Sequence, residues 1–533
     1  MPDISGPPEP TDSAVPPSRR QVLLAGTAVL GAAALTASGL GGTASAATET
    51  GGPGWAVRDP FKLGVASGDP LPDGVVLWTR LVPNPLAEDG LGGMPSRPVP
   101  VQWEVSSDAN FRRVVSAGAE VAWLHQAHTI HVEVSGLRPG AEYFYRFRAG
   151  REISPVGRTK TAPRPGARLD RFAFAFASCQ NYPEGFYNAY AHMAHEDLDL
   201  VAFLGDYIYE GNAQGTIGRG HAPVGETWTL ADYRIRLAQY KTDPDLQATH
   251  AAFPWAVVFD DHEVENNWAG DISQVDGEPD ADPAVFRQRR AQAFQAYYEH
   301  MPLRRAQRPS GPDIRIHRRL TFGDLVDFHL LDTRQYRSDQ VPGPQRADPA
   351  RTILGAAQKS WLLKGLAGPT ARWNVLAQQV FFSQRDFTAG AAATFSDDAW
   401  DNYQVERDLV RDHLAKASNP VVITGDVHAS YVSDIKADFT DPASATVATE
   451  LVGTSITSGG NGTEQNAGDA VQLAENPHFK FINRKRGYVR NVVTRSEWTA
   501  DYRTVEYVNQ PGAPITTRAT FVIDDDRPGA VQR

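Results

Sequence analysis

The stretch 172–210, FAFAFASCQNYPEGFYNAYAHMAHEDLDLVAFLGDYIYE, constrains this chain more than any other. It reads as strand, turn, helix, strand, the alternation of a layered α/β domain built around a sheet. The first apolar run stops at Cys179, the second at Gly205-Asp206-Tyr207-Ile208-Tyr209. Ligands of open α/β sheets collect just beyond the carboxyl ends of the strands. Cys179, Asp206 and Tyr209 therefore seed a candidate metal site.

The alternation continues downstream. Helical patterns cover 184–196, 230–239, 283–300, 356–366 and 401–417, the last with Val405, Leu409, Val410 and Leu414 at helical spacing. Strands are read at 255–259, 325–331, 374–377, 421–424 and 449–452. Three of these strands also end in ligand-like residues: Asp260-Asp261-His262-Glu263-Val264-Glu265-Asn266-Asn267, Gln378-Gln379 and Gly425-Asp426-Val427-His428. One such terminus can be a solvated loop; several in one sheet bring thiolate, phenolate, carboxylate, imidazole and amide groups to a single edge. The Gly/Asp/Pro-rich segments 212–226 and 270–282 read as long loops around that edge. Residues 169–523 are taken as the catalytic domain and 524–533 as a tail.

A chain of 533 residues is too long for one core. Short alternating runs at 75–79, 101–105, 129–134 and 143–147 mark 61–163 as an all-β domain of sandwich spacing. Its Gly136-Leu137-Arg138-Pro139-Gly140 turn, feeding the aromatic strand from Tyr143, resembles fibronectin type III. No catalytic cluster falls here, which leaves support or docking as its role.

The N-terminus carries an address. Arg19-Arg20 precedes a run of small and apolar residues that ends near Leu40, and Ala44-Ser45-Ala46 supplies a small-x-small cleavage site. Residues 1–46 read as a twin-arginine signal peptide and 47–60 as a linker. A membrane anchor needs about 20 strongly apolar residues, and this run is shorter and rich in Ala, Gly and Thr. The mature chain is thus expected outside the cytoplasm, secreted through the twin-arginine translocase and without a transmembrane anchor. That route moves folded proteins, which suits a metal acquired before export. A lone cysteine in an exported chain is buried, intermolecular or a ligand, and its place after a strand favours ligand. The formal charge of −11, with no Lys/Arg tract, excludes nucleic-acid recognition by diffuse electrostatics.

Ligand types narrow the metals. Thiolate with phenolate suits ferric iron, while surplus carboxylate and amide oxygens suit calcium or magnesium. A heterometallic centre is expected, Fe3+ with a hard ion such as Ca2+ or Mg2+. Two metals about 3.5–4 Å apart can clamp the attacking and leaving oxygens of a phosphoryl displacement and activate water.

GDxxY, D-D-H-E-x-x-N-N and GDVH, in this order, resemble the PhoD-type alkaline phosphatases of the dinuclear metallophosphatase superfamily. The likeness covers both domains and also includes Phe176-Ala177-Ser178-Cys179-Gln180, Leu331-Asp332-Thr333-Arg334-Gln335-Tyr336-Arg337 and Gly453-Thr454-Ser455-Ile456-Thr457-Ser458. The resemblance implies an α/β domain around a central β-sandwich. It implies Asp206 as a shared carboxylate, Cys179, Tyr209 and His428 as iron ligands, and Asp261, Asp426 and either Asn266 or Asn267 as calcium ligands. His262 matches a histidine that faces the substrate and assists the leaving oxygen. Cys179 stands where many superfamily members place Asp and Asp261 where they place Asn, both typical of the PhoD type. Gln378 and Gln379 stand where a further histidine ligand occurs elsewhere, which implies an oxygen-rich second metal. Arg334 and Arg337 are candidates for orienting phosphate oxygens, since a guanidinium fork matches phosphate; ion pairing is the other reading of both.

The implied activity is hydrolysis of phosphate monoesters or diesters by a metal-activated water. Small phosphate esters or phospholipid head groups would be the substrates. A phospholipase D-like phosphodiesterase and a metal-binding extracellular protein without turnover are the alternative readings.

Overall fold

The computed structural model describes residues 57–533 apart from 275–276 and 369–370. The signal peptide at 1–46 and most of the 47–60 linker lie outside the described residues.

Strand Arg171–Ala177 is buried throughout after Arg171. Both faces of its sheet are covered, so the run is apolar without alternation. Its phenylalanines share one face. Phe172 packs on Phe322 with ring centroids 4.3 Å apart, and Phe174 on Phe328 at 5.0 Å. Phe322 and Phe328 belong to a second sheet, so this aromatic layer joins two stacked sheets. Burying one such ring contributes about 1.5–3 kcal/mol.

The first sheet has ten strands, in the order Arg527–Gln532, Ile515–Asp524, Glu497–Val505, Gly487–Thr494, Arg171–Ala177, Leu200–Phe203, Pro254–Val257, Val65–Leu71, Gly74–Arg80 and Thr129–Val134. Arg171–Ala177, Leu200–Phe203 and Pro254–Val257 are parallel, with Ala177 opposite Phe203 and Phe203 opposite Val257. Their carboxyl ends therefore finish level. The second sheet has seven strands and includes the parallel set Val326–Leu330, Trp373–Ala377, Pro420–Thr424 and Thr446–Val452. A bridge between Ser178 and Ser455 stitches the two sheets together at the end where these strands terminate.

The N-terminal region is all-β, as expected. Strand Glu142–Ala149 buries Tyr143, Tyr145, Phe147 and Ala149 and exposes Glu142 and Arg148, the alternation of a strand covered on one face. It belongs to a five-stranded sheet. Three other strands of the region join the large sheet, through Ser67 opposite Pro254 and Gly68 opposite Trp255. The catalytic region and its neighbour thus share a sheet. At the other end of the chain, Arg527–Gln532, within the segment read as a tail, is the edge strand of that sheet.

Helix Pro283–His300 coincides with the periodicity reading; Asp282 caps it by accepting from the Ala284 amide, and proline takes its first position. The pattern at 401–417 resolves into a 3-10 turn, Trp400–Tyr403, and helix Gln404–Leu414. Helix Pro244–Ala252 has almost no apolar periodicity; its start is signalled locally by Asp243, which accepts from Asp245 and Leu246 amides, followed by Pro244. Among the described residues no helix is long and apolar enough to cross a membrane.

Candidate metal centre

The residues that end the parallel strands leave them through unusual backbone. Cys179, Asp206, Asn267, Asp426 and His428 all have positive φ, between 52° and 64°. Left-handed backbone costs a non-glycine residue roughly 1–2 kcal/mol, a cost concentrated here at one end of two sheets. Gly205 shows why the packing is so close. Its φ is 108°, and a Cβ there would lie 2.4 Å from Asp260 Cβ, so glycine lets the loops after two adjacent strands touch.

Glu263 binds those loops together. Its carboxylate accepts from the amides of Asp206 at 3.2 Å, Tyr207 at 2.6 Å and Asp260 at 2.8 Å. Replacing Glu263 with alanine orphans three buried N–H groups at about 1–3 kcal/mol each. A loss of about 3–5 kcal/mol in urea unfolding is expected; a loss below 1 kcal/mol would remove Glu263 from this role.

Two sets of ligand atoms converge. Cys179, Asp206 and His428 offer atoms within 4.8 Å of one another, as do Asp206, Asp261 and His262. Asp206 is common to both. Tyr209 Oη donates to Asp206 Oδ2 at 2.8 Å and lies 3.0 Å from His428 Nε2, and Ser458 Oγ donates to it at 2.7 Å. Asp261 Oδ2 accepts from the Asn267 amide at 2.7 Å. Asn267 is half-buried, whereas Asn266 is exposed and gives its amide to Glu210. Asp426 falls outside both sets of mutually close atoms.

The electrostatics are those of carboxylates short of cations. Burial pushes Asp206 far above the usual carboxylate range; Asp261, Asp260 and Glu263 add to this and His262 opposes it. Burial, then Asp398 and Asp261, raise Asp426 to about 7. Burial also raises Asp261, but Arg334, His262 and the Asn267 amide outweigh it and hold that group low. Burial and then Asp206 push the Cys179 thiol well up. Asp206 Oδ1 and Asp261 Oδ1 are buried without a hydrogen-bond partner among the described residues. Such atoms are rare unless an ion or water satisfies them, and here they border thiol, phenol, imidazole and carboxylate donors. The donor set fits a two-metal centre.

Residues 174–502 match the model of the PhoD-like phosphatase, and 45–163 that of its N-terminal domain. The chain belongs to the PhoD-like phosphatase family. It is 51% identical over 484 residues to alkaline phosphatase D of Bacillus subtilis (strain 168), covering 88% of this chain and 82% of that protein. A solved structure of PhoD superposes with a TM-score of 0.86 at 50% identity, over 90% of this chain and 93% of the other.

In this PhoD-like phosphatase the two arginines are spent on carboxylates. Arg334 is fully buried, with Nε on Asp260 Oδ1 at 2.6 Å and its Nη atoms on Asp398 at 2.6 and 2.9 Å. Arg337 is also buried and donates to Asp398 at 2.7 Å. The Arg334 fork is closed on Asp398, whereas Arg337 leaves its buried Nη2 without a hydrogen-bond partner among the described residues. Gln378 and Gln379 are equally committed, to Thr424 and Trp400 and to Thr333 and Leu331. The motif reading passed over Glu210, Glu263, Asp398 and Ser458. Glu210 directly follows Tyr209 and Ser458 ends the Gly453–Ser458 motif, whereas Asp398 sits in a loop with no local signal.

Proposed function

We propose that this phosphoric ester hydrolase works outside the cytoplasm, with iron held by Cys179, Tyr209 and His428 and calcium by Asp261, Asp426 and Asn267. Asp206, common to both groups of ligand atoms, would serve both ions. That the chain hydrolyses phosphate esters follows from its membership of the PhoD-like phosphatases and its likeness to an alkaline phosphatase D. The metal assignment is carried by one observation: Asp206, with a buried and partnerless Oδ1, belongs to both sets of converging ligand atoms.

Bound metals supply Lewis-acid neutralisation of phosphoryl oxygens and activation of water. The remaining work falls to side chains. His262 lies 2.7 Å through Nδ1 from Glu210 Oε2, which leaves Nε2 to deliver a proton to the departing alkoxide. Burial lowers its basicity, but Glu210, Asp261 and Asp206 outweigh burial and raise it. Tyr209 packs against it with ring centroids 4.2 Å apart and the planes tilted by 33°. Arg334 acts as a buried counter-charge that holds Asp260 beside Asp261. Asn267 is preferred to Asn266 because it is half-buried and its amide already fixes Asp261. Export by the twin-arginine route, from the pair Arg19-Arg20, fits a protein loaded with metal before translocation.

Metal analysis and an absorption spectrum of the native protein test this reading. Iron with a visible charge-transfer band is expected, and Tyr209→Phe should shift or remove the band. A colourless, iron-free and fully active enzyme would overturn the metal assignment. Turnover of a nitrophenyl monoester, its bis-ester and phosphatidylcholine vesicles then separates the substrate classes.

A further inference from the structure

The loop that follows the metal centre carries a second group of acids. Glu265, Glu278 and Asp280 each offer a carboxylate oxygen, and these atoms lie within 4.8 Å of one another. Glu265 and Asp280 are 0% exposed, so this is not a solvated acidic surface. Three oxygens in the group, Glu265 Oε2, Glu278 Oε2 and Asp280 Oδ1, are buried without any hydrogen-bond partner among the described residues. The other oxygens of the two fully buried acids are satisfied: Glu265 Oε1 accepts from Ser273 at 2.8 Å and Asp280 Oδ2 from Arg289 at 2.8 Å.

Arg289 is the local cation, and it does not balance the group. It pairs with Glu226 at 2.5 Å and with Asp280, and stands 3.9 Å from both Glu265 and Glu278. Among the described residues four carboxylates thus face one guanidinium, Glu265 and Asp280 fully buried and Glu226 and Glu278 25% and 28% exposed. Buried charge without a counter-charge is among the most costly arrangements in a protein interior, and the three orphaned oxygens mark where compensation is missing.

We infer that Glu265, Glu278 and Asp280 hold a structural divalent cation of the calcium class, separate from the catalytic centre. The three groups supply hard oxygen ligands and no imidazole or thiolate, which disfavours zinc, copper and iron. Carboxylates drawn from an irregular loop suit calcium, which takes about 6–8 oxygens in flexible geometry, better than magnesium. The ion has a mechanical consequence. Asn266 and Asn267 lie immediately after Glu265, and the Gly270 amide ties the same loop to the Arg334 carbonyl at 3.1 Å. A cation here anchors the outer side of the loop whose inner side borders the metal centre.

The test compares the wild-type holoenzyme with Glu278→Gln and with the double variant Glu278→Gln/Asp280→Asn. None of these changes touches a proposed catalytic ligand. Each protein is equilibrated with calcium, freed of unbound metal and analysed for calcium and iron per chain. Terbium is then added as a probe, its luminescence excited through Trp228, whose ring centroid lies 4.1 Å from the Arg289 guanidinium. One calcium fewer per chain, unchanged iron and loss of the tryptophan-sensitised terbium emission are expected in the double variant. Glu278→Gln alone, at the most exposed of the three acids, should weaken terbium binding by about tenfold or more for the loss of one charged ligand; it covers the case in which the double variant does not fold. Equal calcium content and equal terbium binding in Glu278→Gln and wild type would overturn the proposal. Because the comparison is between proteins with identical catalytic ligands, it reads this site whatever metals the catalytic centre holds.

Discussion

Asp206→Asn is expected to lower kcat/KM for a nitrophenyl phosphate by about 10^3-fold or more, equivalent to some 4 kcal/mol of transition-state stabilisation, while leaving the protein folded. The asparagine keeps the shape of the side chain and an oxygen within reach of Tyr209 Oη, which donates at 2.8 Å. It removes the one negative charge common to both sets of converging ligands. Asp261, Asp260 and Glu263 all repel the Asp206 carboxylate, so the neutral amide should relieve strain in the metal-free state. Unfolding in urea with a chelator present is therefore expected to show stability equal to or above wild type, with iron and calcium both reduced. An active variant with full metal content would sink the bridging role. A variant that loses activity and folding together would make Asp206 a structural residue instead.

Lys241→Met is expected to raise stability at pH 7 by about 2–4 kcal/mol. Lys241 is 1% exposed, and burial lowers its ammonium from 10.5 to about 7. A depression of this size corresponds to a penalty on the order of 3–5 kcal/mol, offset in part by cation–π contacts with Trp78 and Tyr207 at 4.4 and 5.3 Å, worth up to about 2 kcal/mol. Between pH 7 and 10.5 the unfolded chain binds a proton that the folded chain has lost. Stability contributed at this site must rise with pH across that window, and the penalty is fully present below it. Methionine should remove that rise as well as the penalty. Urea titrations of both proteins at pH 7 and pH 9 measure the difference, and parallel pH dependence in the two would refute it. The lysine has company: His250 Nε2 lies 3.4 Å from its Nζ and 2.8 Å from Tyr207 Oη. Tyr207 adjoins Asp206, which places this buried network directly behind the metal centre.

Residues that converge from the ends of their own strands were legible in the sequence. Cys179, Asp206, Tyr209, Asp261 and His428 each follow an apolar run, and period and burial are local properties. Asp398 was not legible, because its partners Arg334 and Arg337 lie more than sixty residues earlier and only the folded loops bring them together. The same distance effect altered the reading of those arginines, whose forks suit a phosphate but meet a buried carboxylate first. The all-β character of the N-terminal region could be read from alternation within its strands. Its continuity with the catalytic sheet could not, because the pairing of Gly68 with Trp255 joins segments far apart in the chain. The preference proposed for Asn267 over Asn266 rests on burial, which adjacent identical residues do not disclose.

The strand that delivers Cys179 has Gly487–Thr494 on one side and Leu200–Phe203 on the other. One neighbour is synthesised immediately after it and the other some three hundred residues later. Until the ribosome has released nearly the whole polypeptide, Arg171–Ala177 has an open edge and Ser178 lacks its partner Ser455. The metal-binding end of the sheets is then completed late, and a chain truncated before Gly487 is expected to appear in cells as an aggregate without bound metal.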